Sequence, residues 1–110
     1  MKPLRLEKLP RNSKMVVGIA RIELYFPEPN SLKAKRQILR ALLQKIEANF
    51  KKVSIAEVDG HDLWQRTVLG ISIVGKDQGF VDSKLTSLIE FIQKESALDI
   101  VNAEIEYLSY

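Results

Sequence analysis

The chain has 110 residues, 45% of them hydrophobic and 28% charged, a balance that suits one globular domain rather than a disordered tail. It contains no cysteine, which excludes thiol catalysis, disulfide frameworks and cysteine-ligated zinc or iron–sulfur sites. Its 17 basic and 14 acidic residues leave a formal charge of +3, too mild by itself to declare a nucleic-acid partner.

No apolar run approaches the ~20 residues needed to span a bilayer, and the N-terminus carries charges where a signal peptide needs an apolar core. A cytoplasmic protein with no membrane partner is expected. Charge is unevenly spread. Residues 1–14 carry Lys2, Arg5, Lys8, Arg11 and Lys14 against Glu7, residues 33–52 hold a net +6, and residues 53–110 a net −6. The folded body should therefore be an electrical dipole.

Residues 1–14 contain Pro3 and Pro10, show no strand alternation, and offer only Leu4, Leu6 and Leu9 as large apolar residues. They are expected to form a basic N-terminal arm, with residues 15–110 as a single domain. Alternation begins at Val16, with Val16, Ala20, Ile22, Leu24 and Phe26 on one face and Val17, Ile19, Arg21, Glu23 and Tyr25 on the other. The prolines at 27 and 29 end this first strand. Ser31 is placed to cap a helix whose Leu32, Leu39, Leu42, Leu43, Ile46 and Phe50 form one apolar stripe.

Residues 53–59 and 66–75 are two β-rich runs joined by Gly60-His61-Asp62-Leu63-Trp64-Gln65, a hairpin with a longish loop. A second helix fits residues 78–95 with Asp77 or a neighbour as cap and Val81, Leu85, Leu88, Ile89 and Ile92 inward. The last strand covers about 99–108, with Val101, Ala103 and Ile105 inward. The order strand, helix, strand, strand, helix, strand predicts an α+β, ferredoxin-like βαββαβ sandwich, because right-handed crossovers put both helices on one face of a four-stranded antiparallel sheet. Strands 1 and 3, the most apolar, should be central, and the opposite sheet face open.

Three segments carry a family resemblance: Val16-Val17-Gly18-Ile19 with Ser31-Leu32-Lys33-Ala34-Lys35-Arg36, then Ala56-Glu57-Val58-Asp59, then Asp62-Leu63-Trp64-Gln65-Arg66 running into Leu69-Gly70. On these the chain resembles the YlxP-like family of small bacterial proteins of unknown function over residues 15–108. The resemblance implies a ferredoxin-like fold. Members are often encoded beside translation-initiation and ribosome-maturation genes, which implies a ribosomal setting and supplies no catalytic residues.

Lys33, Arg36 and Arg40, at i, i+3 and i+7, should project side by side from the first helix and could follow a phosphate backbone. Ser31 and the free amides of the first turn could add a phosphate contact. The plain alternative is a solvated helix face paired with the acidic half of the molecule. Trp64 beside Arg66 could stack a base or dock on a protein, or else plug the core at the end of the hairpin. Glu57 and Asp59 should share a strand face by the period of two, close to His61 and Asp62; solvated carboxylates, or a pair with Arg66, suit them better than a cation site. The third strand has none of the stacking aromatics that the common RNA-recognition motif needs, and no glycine-rich phosphate loop or serine triad motif occurs.

The reading is a non-enzymatic accessory protein, with no metal or cofactor, that contacts structured ribosomal RNA or a ribosomal subunit. Its candidate contacts are Ser31, Lys33, Lys35, Arg36 and Arg40 on the first helix, with Trp64 and Arg66 at the hairpin and the basic arm beside them. The alternative is an interaction module forming a homodimer through the open sheet face, where Val17, Ile19, Val68, Gly70, Ser72 and Val74 make a mostly apolar centre.

Overall fold

The computed structural model describes residues 4–8 and 14–110. Six elements follow in the expected order: β1 (Val16–Tyr25), α1 (Leu32–Asn49), β2 (Ser54–Asp59), β3 (Arg66–Gly75), α2 (Gln78–Gln93) and β4 (Asp99–Ser109). The sheet runs β2-β3-β1-β4 and every neighbouring pair is antiparallel. This is the ferredoxin-like arrangement, with β1 and β3 central. Among the described residues no helix is long and apolar enough to cross a membrane.

Local chemistry sets the boundaries. The Ser31 hydroxyl accepts the Ala34 N–H at 3.1 Å, and the Asp77 carboxylate accepts the Phe80 N–H at 2.8 Å, so each helix begins by satisfying an amide that has no partner within its own first turn. α2 ends two residues earlier than the periodicity suggests. The N–H groups of Lys94 and Glu95 donate to Phe91 and Ile92 in a tightened last turn.

Burial follows the alternation. Ala20, Ile22 and Leu24 of β1 and Leu69, Ile71 and Ile73 of β3 meet Leu39, Leu42 and Ile46 of α1 and Val81, Leu85, Leu88 and Ile92 of α2 in one cluster. Each such side chain taken from water contributes about 1.5–3 kcal/mol. α2 lies close against β1 because position 18 is glycine: a Cβ there would stand 2.3 Å from Val81 and 2.8 Å from Leu85.

Two expectations about the sheet need correction. Ala103 and Ile105 share the helix side of β4 with core positions, since they pair with Ile22 and Ala20, yet both are exposed. α2 centres on β1 and β3 and meets β4 near Tyr107, which leaves Ala103 and Ile105 in the middle of the edge strand to solvent. Val101 is also exposed, at the register shift opposite Glu23 and Leu24. On the opposite face, Val68 is fully buried rather than part of an open patch. A register shift between Glu57 and Asp59 sets Val58 against Gly70 on that side and Asp59 opposite Val68.

Of the expected arm, Leu4 and Leu6 are 85% and 87% exposed, while Leu9 lies outside the described residues. The first core residue is Val16, and pairing with β4 extends outward by one residue through Tyr110 N–H to Met15 O at 2.8 Å. Deleting residues 1–14 is therefore expected to leave the fold intact and to move the melting temperature by only a few degrees, the effect of ~1 kcal/mol in a domain of this size. Thermal melts followed by circular dichroism check this, and a truncated chain that fails to fold would place the arm's leucines in the core.

Candidate nucleic-acid interface

Residues 31–36, 56–59 and 62–66, stretches singled out above, meet at one end of the sheet, the end of β1 away from Val16. Lys35, on the second turn of α1, is fully buried. Its ammonium donates to Glu57 Oε2 at 3.1 Å and to the Gly60 carbonyl at 2.9 Å. The same Glu57 oxygen accepts the Thr67 hydroxyl, and His61 Nε2 stands 3.8 Å from Glu57 Oε1.

Gly60 has φ +82°, a conformation that costs a residue with a Cβ, and an added Cβ would lie 2.7 Å from the Arg66 carbonyl. Its N–H donates to Asp59 Oδ1 at 2.8 Å. The turn is thus held by its own backbone on one side and by α1 on the other. Burial works against the charge on Glu57, but Thr67, Lys35 and His61 together outweigh it and hold the carboxyl below its ordinary value.

The loop pinned in this way leaves its tip in water. Leu63 is 48% and Trp64 51% exposed, so Trp64 is no plug for the core. Phe26 N–H donates to Gln65 O at 2.9 Å and Gln65 Nε2 to Pro27 O at 3.3 Å, which fixes residues 60–65 beside the β1–α1 connection. Arg36 Nη2 donates to the His61 carbonyl at 3.1 Å, which joins the loop to the basic flank of α1.

On that flank Lys33, Arg36 and Arg40 are all exposed and border one shallow depression with Leu32 and Gln37. From 33 to 40 the helix rises about 10 Å. Among the described residues none of the three cations meets a carboxylate, whereas Lys45 pairs with Glu95 at 3.2 Å. The flank is solvated, as the plain alternative has it, but among the described residues it is not paired with the acidic half of the molecule. Ser31 is half-buried, and its oxygen serves as the helix cap.

Two expected contacts are already engaged within the protein, Lys35 buried and Arg66 half-exposed. Lys35 is sealed inside and its charge is spent on Glu57 and Gly60, so it cannot reach a phosphate. It follows the apolar rhythm of Leu39, Leu42 and Ile46 at i, i+4, i+7 and i+11, and that spacing was the available signal for an inward lysine. Arg66 lies with Glu23 at 2.8 Å and Asp59 at 3.5 Å, which commits its guanidinium to two carboxylates. The Gly60 N–H and the Arg66 charge together outweigh desolvation and keep the Asp59 carboxyl below its ordinary value.

Glu57 and Asp59 do not share a face, contrary to the simple period of two. The bulge between them sends Glu57 toward α1 and Asp59 toward Arg66, away from each other. Among the described residues no group of three or more histidine, aspartate or glutamate side chains is arranged to hold a metal ion.

Residues 17–105 match the family described as Protein of unknown function (DUF503), and the chain belongs to that family. It is 34% identical over 77 residues to the Uncharacterized protein YlxP of Bacillus subtilis (strain 168), a match covering 70% of this chain and 83% of the relative. Among solved structures, the de novo designed protein Foldit4 superposes with a TM-score of 0.50 at 12% identity, covering 87% of this chain and 98% of the design, a likeness of fold alone. PA3566 from Pseudomonas aeruginosa gives a TM-score of 0.49 at 20% identity over 89% of this chain and 95% of that one.

Replacing the carboxylate of Glu57 by a neutral amide leaves the buried Lys35 ammonium without its counter-charge. Glu57→Gln is expected to destabilise the domain by about 3 kcal/mol, and the double variant Lys35→Met/Glu57→Gln by clearly less than the two single changes added together. The effect has a pH signature. Because folding depresses the pKa of Glu57, its contribution is complete above the ordinary value of 4.5 and is lost as pH falls through the lower folded value. The stability gap between the native protein and Glu57→Gln, measured by urea unfolding, is expected to narrow below pH 4.5. A gap constant down to strongly acid pH would separate Glu57 from the anchoring of the loop.

Proposed function

We propose that this is a non-enzymatic cytoplasmic accessory protein that contacts structured, ribosomal RNA through the basic flank of α1 and the adjoining 60–65 loop. One observation carries the reading: Lys33, Arg36 and Arg40 stand exposed in a row, unpaired with carboxylates among the described residues, and Arg36 connects that row to a loop presenting half-exposed Trp64. Cations left without carboxylate partners are available for counterion-releasing contacts with phosphates, and an exposed indole next to them offers a stacking surface. The buried Lys35–Glu57 pair holds the two parts together, so affinity for a folded RNA does not first require ordering of the loop. Ser31 adds a hydroxyl and the free amides of the first turn at the helix N-terminus.

Replacing Lys33, Arg36 and Arg40 together by alanine removes about three phosphate contacts, so the slope of log affinity against log salt should flatten by roughly two units. Trp64→Ala should instead weaken binding while leaving that slope nearly unchanged, because stacking releases no counterions. Anisotropy titrations of ribosomal RNA fragments at several salt concentrations test both expectations. Identical affinity and slope for the native protein and the triple variant would falsify the assignment of α1 as the contact surface.

A second reading has its own observation. The sheet face opposite the helices has no covering element among the described residues. It presents Ile19 at 37% and Val74 at 55% exposure, with Arg21 beside Glu104 at 3.7 Å and Glu106 in register with Ile19. An apolar centre rimmed by both signs of charge is self-complementary about a two-fold axis, which fits a second copy of this chain. Light scattering at high micromolar concentration should then give twice the chain mass, reverting to the monomer in Ile19→Glu. A monomer mass for the native protein rejects this reading.

A further inference from the structure

The far end of α1 carries a different feature. Between the C-terminal end of α1 and the first turns of α2 lies a cleft of about 420 Å³, within the ~300–1,000 Å³ range of small-molecule sites. Lys51, Lys52 and Lys84 line it, and no carboxylate does. Among the described residues none of these three lysines makes an ion pair, so the cleft is bordered by three cationic side chains that no carboxylate neutralises.

The floor and walls are apolar and aromatic: Ile73 is buried beneath, Phe50 closes one side and Phe80 another. Both rings are held in place. Phe50 packs edge-to-face on Phe91 with centroids 5.5 Å apart. Phe80 sits on the space left by Gly75, where a Cβ would stand 2.8 Å from its ring, and its backbone N–H is bound by the Asp77 cap. Lys84, one turn further along α2, holds its ammonium 5.6 Å from the centre of the Phe80 ring. Asn49 and Ser87 supply neutral hydrogen-bonding groups at the same cleft.

An aromatic wall whose Phe80 ring carries the Lys84 ammonium over it, with two further lysines and two neutral polar side chains, matches a planar base joined to a phosphate, the ammonium moving from the ring to the phosphate as the base stacks. Stacking takes the base, lysines take the phosphate as point charges, and an amide or hydroxyl can meet the edge of the base. A free inorganic anion would leave the rings unused, and an uncharged aromatic would leave the lysines unused. We propose that this cleft binds a nucleotide, either as a free nucleoside monophosphate or as an unpaired nucleotide of an RNA strand. The site shares no residue with the α1 N-terminal surface, so it stands or falls independently of that surface.

Titration of the full chain with adenosine 5′-monophosphate, adenosine, inorganic phosphate and a short single-stranded RNA, followed by backbone amide shifts in two-dimensional NMR, tests the proposal. Shifts concentrated at residues 49–53 and 80–87, stronger for the monophosphate than for adenosine or phosphate alone, support a free-nucleotide site. The same shifts with the RNA strand only support the cleft as the seat of an unpaired nucleotide. Phe80→Ala should weaken binding about tenfold or more, and Lys52→Gln/Lys84→Gln should do so while reducing the salt dependence. All three are exposed or half-exposed positions, and the spectra report directly whether the fold survives. Absence of shifts at these residues with every probe, or equal affinity for adenosine and its monophosphate, overturns the proposal, as does unchanged binding by folded variants.

Discussion

An ammonium group taken out of water has to be neutralised where it stands, and Lys35 meets that demand with one carboxylate and one carbonyl from the far end of β2. Much of the molecule's exposed chemistry depends on this contact. The stem of Lys35 occupies a place in the core stripe of α1, so the helix cannot move without moving Glu57 and Gly60. Gly60 opens the loop, and the loop carries His61, Leu63 and Trp64 into solvent beside Arg36. A buried ion pair is a poor source of stability, since desolvation offsets most of its attraction. Its value here is positional: removal of either partner leaves an unpaired charge, so alternative placements of the hairpin relative to α1 are strongly disfavoured.

The separation of charge along the chain becomes a separation in space. One flank of α1 collects Lys33, Arg36 and Arg40, which find no carboxylate among the described residues, whereas the face of the sheet away from the helices gathers Glu23, Glu104 and Glu106 around Arg21 and Arg66. Cations on that sheet face are paired, and those of the α1 flank and the α1–α2 cleft are not. Lysines that have gained neutralising partners report on folding, as Lys35 does. Lysines and arginines held near one another without partners keep an electrostatic energy that only a ligand or counterions relieve. This contrast, more than the modest net charge, is what supports anionic ligands for the helix side.

The fold itself carries little functional weight. A ferredoxin-like sandwich hosts many unrelated activities, and the likeness to a de novo designed protein at 12% identity is one of fold alone. Membership of the DUF503 family adds no chemistry. The functional reading rests on the site: which charges are met, which ring is exposed, and which backbone groups tie them together.

Periodicity in the sequence was enough to determine the six elements, their order, both helix caps and the central position of β1 and β3, because alternation and the 3.6-residue stripe act locally and were uninterrupted there. It failed where two segments had to meet. Lys35 reads as one more member of a basic helix face until Glu57 and Gly60 are brought against it, and Arg66 reads as a free cation until Glu23 of β1 and Asp59 of β2 lie beside it. The bulge between Glu57 and Asp59 depends on register against β3 and leaves no trace in a two-residue alternation. The exposure of Ile105 and the burial of Val68 likewise depend on what covers each strand rather than on its own pattern. The sequence by itself determined the elements and their inward faces, since backbone and side-chain preferences are properties of the segment. Only the tertiary structure decided which charges are spent and which remain, because neutralisation of a side chain depends on partners distant in the chain.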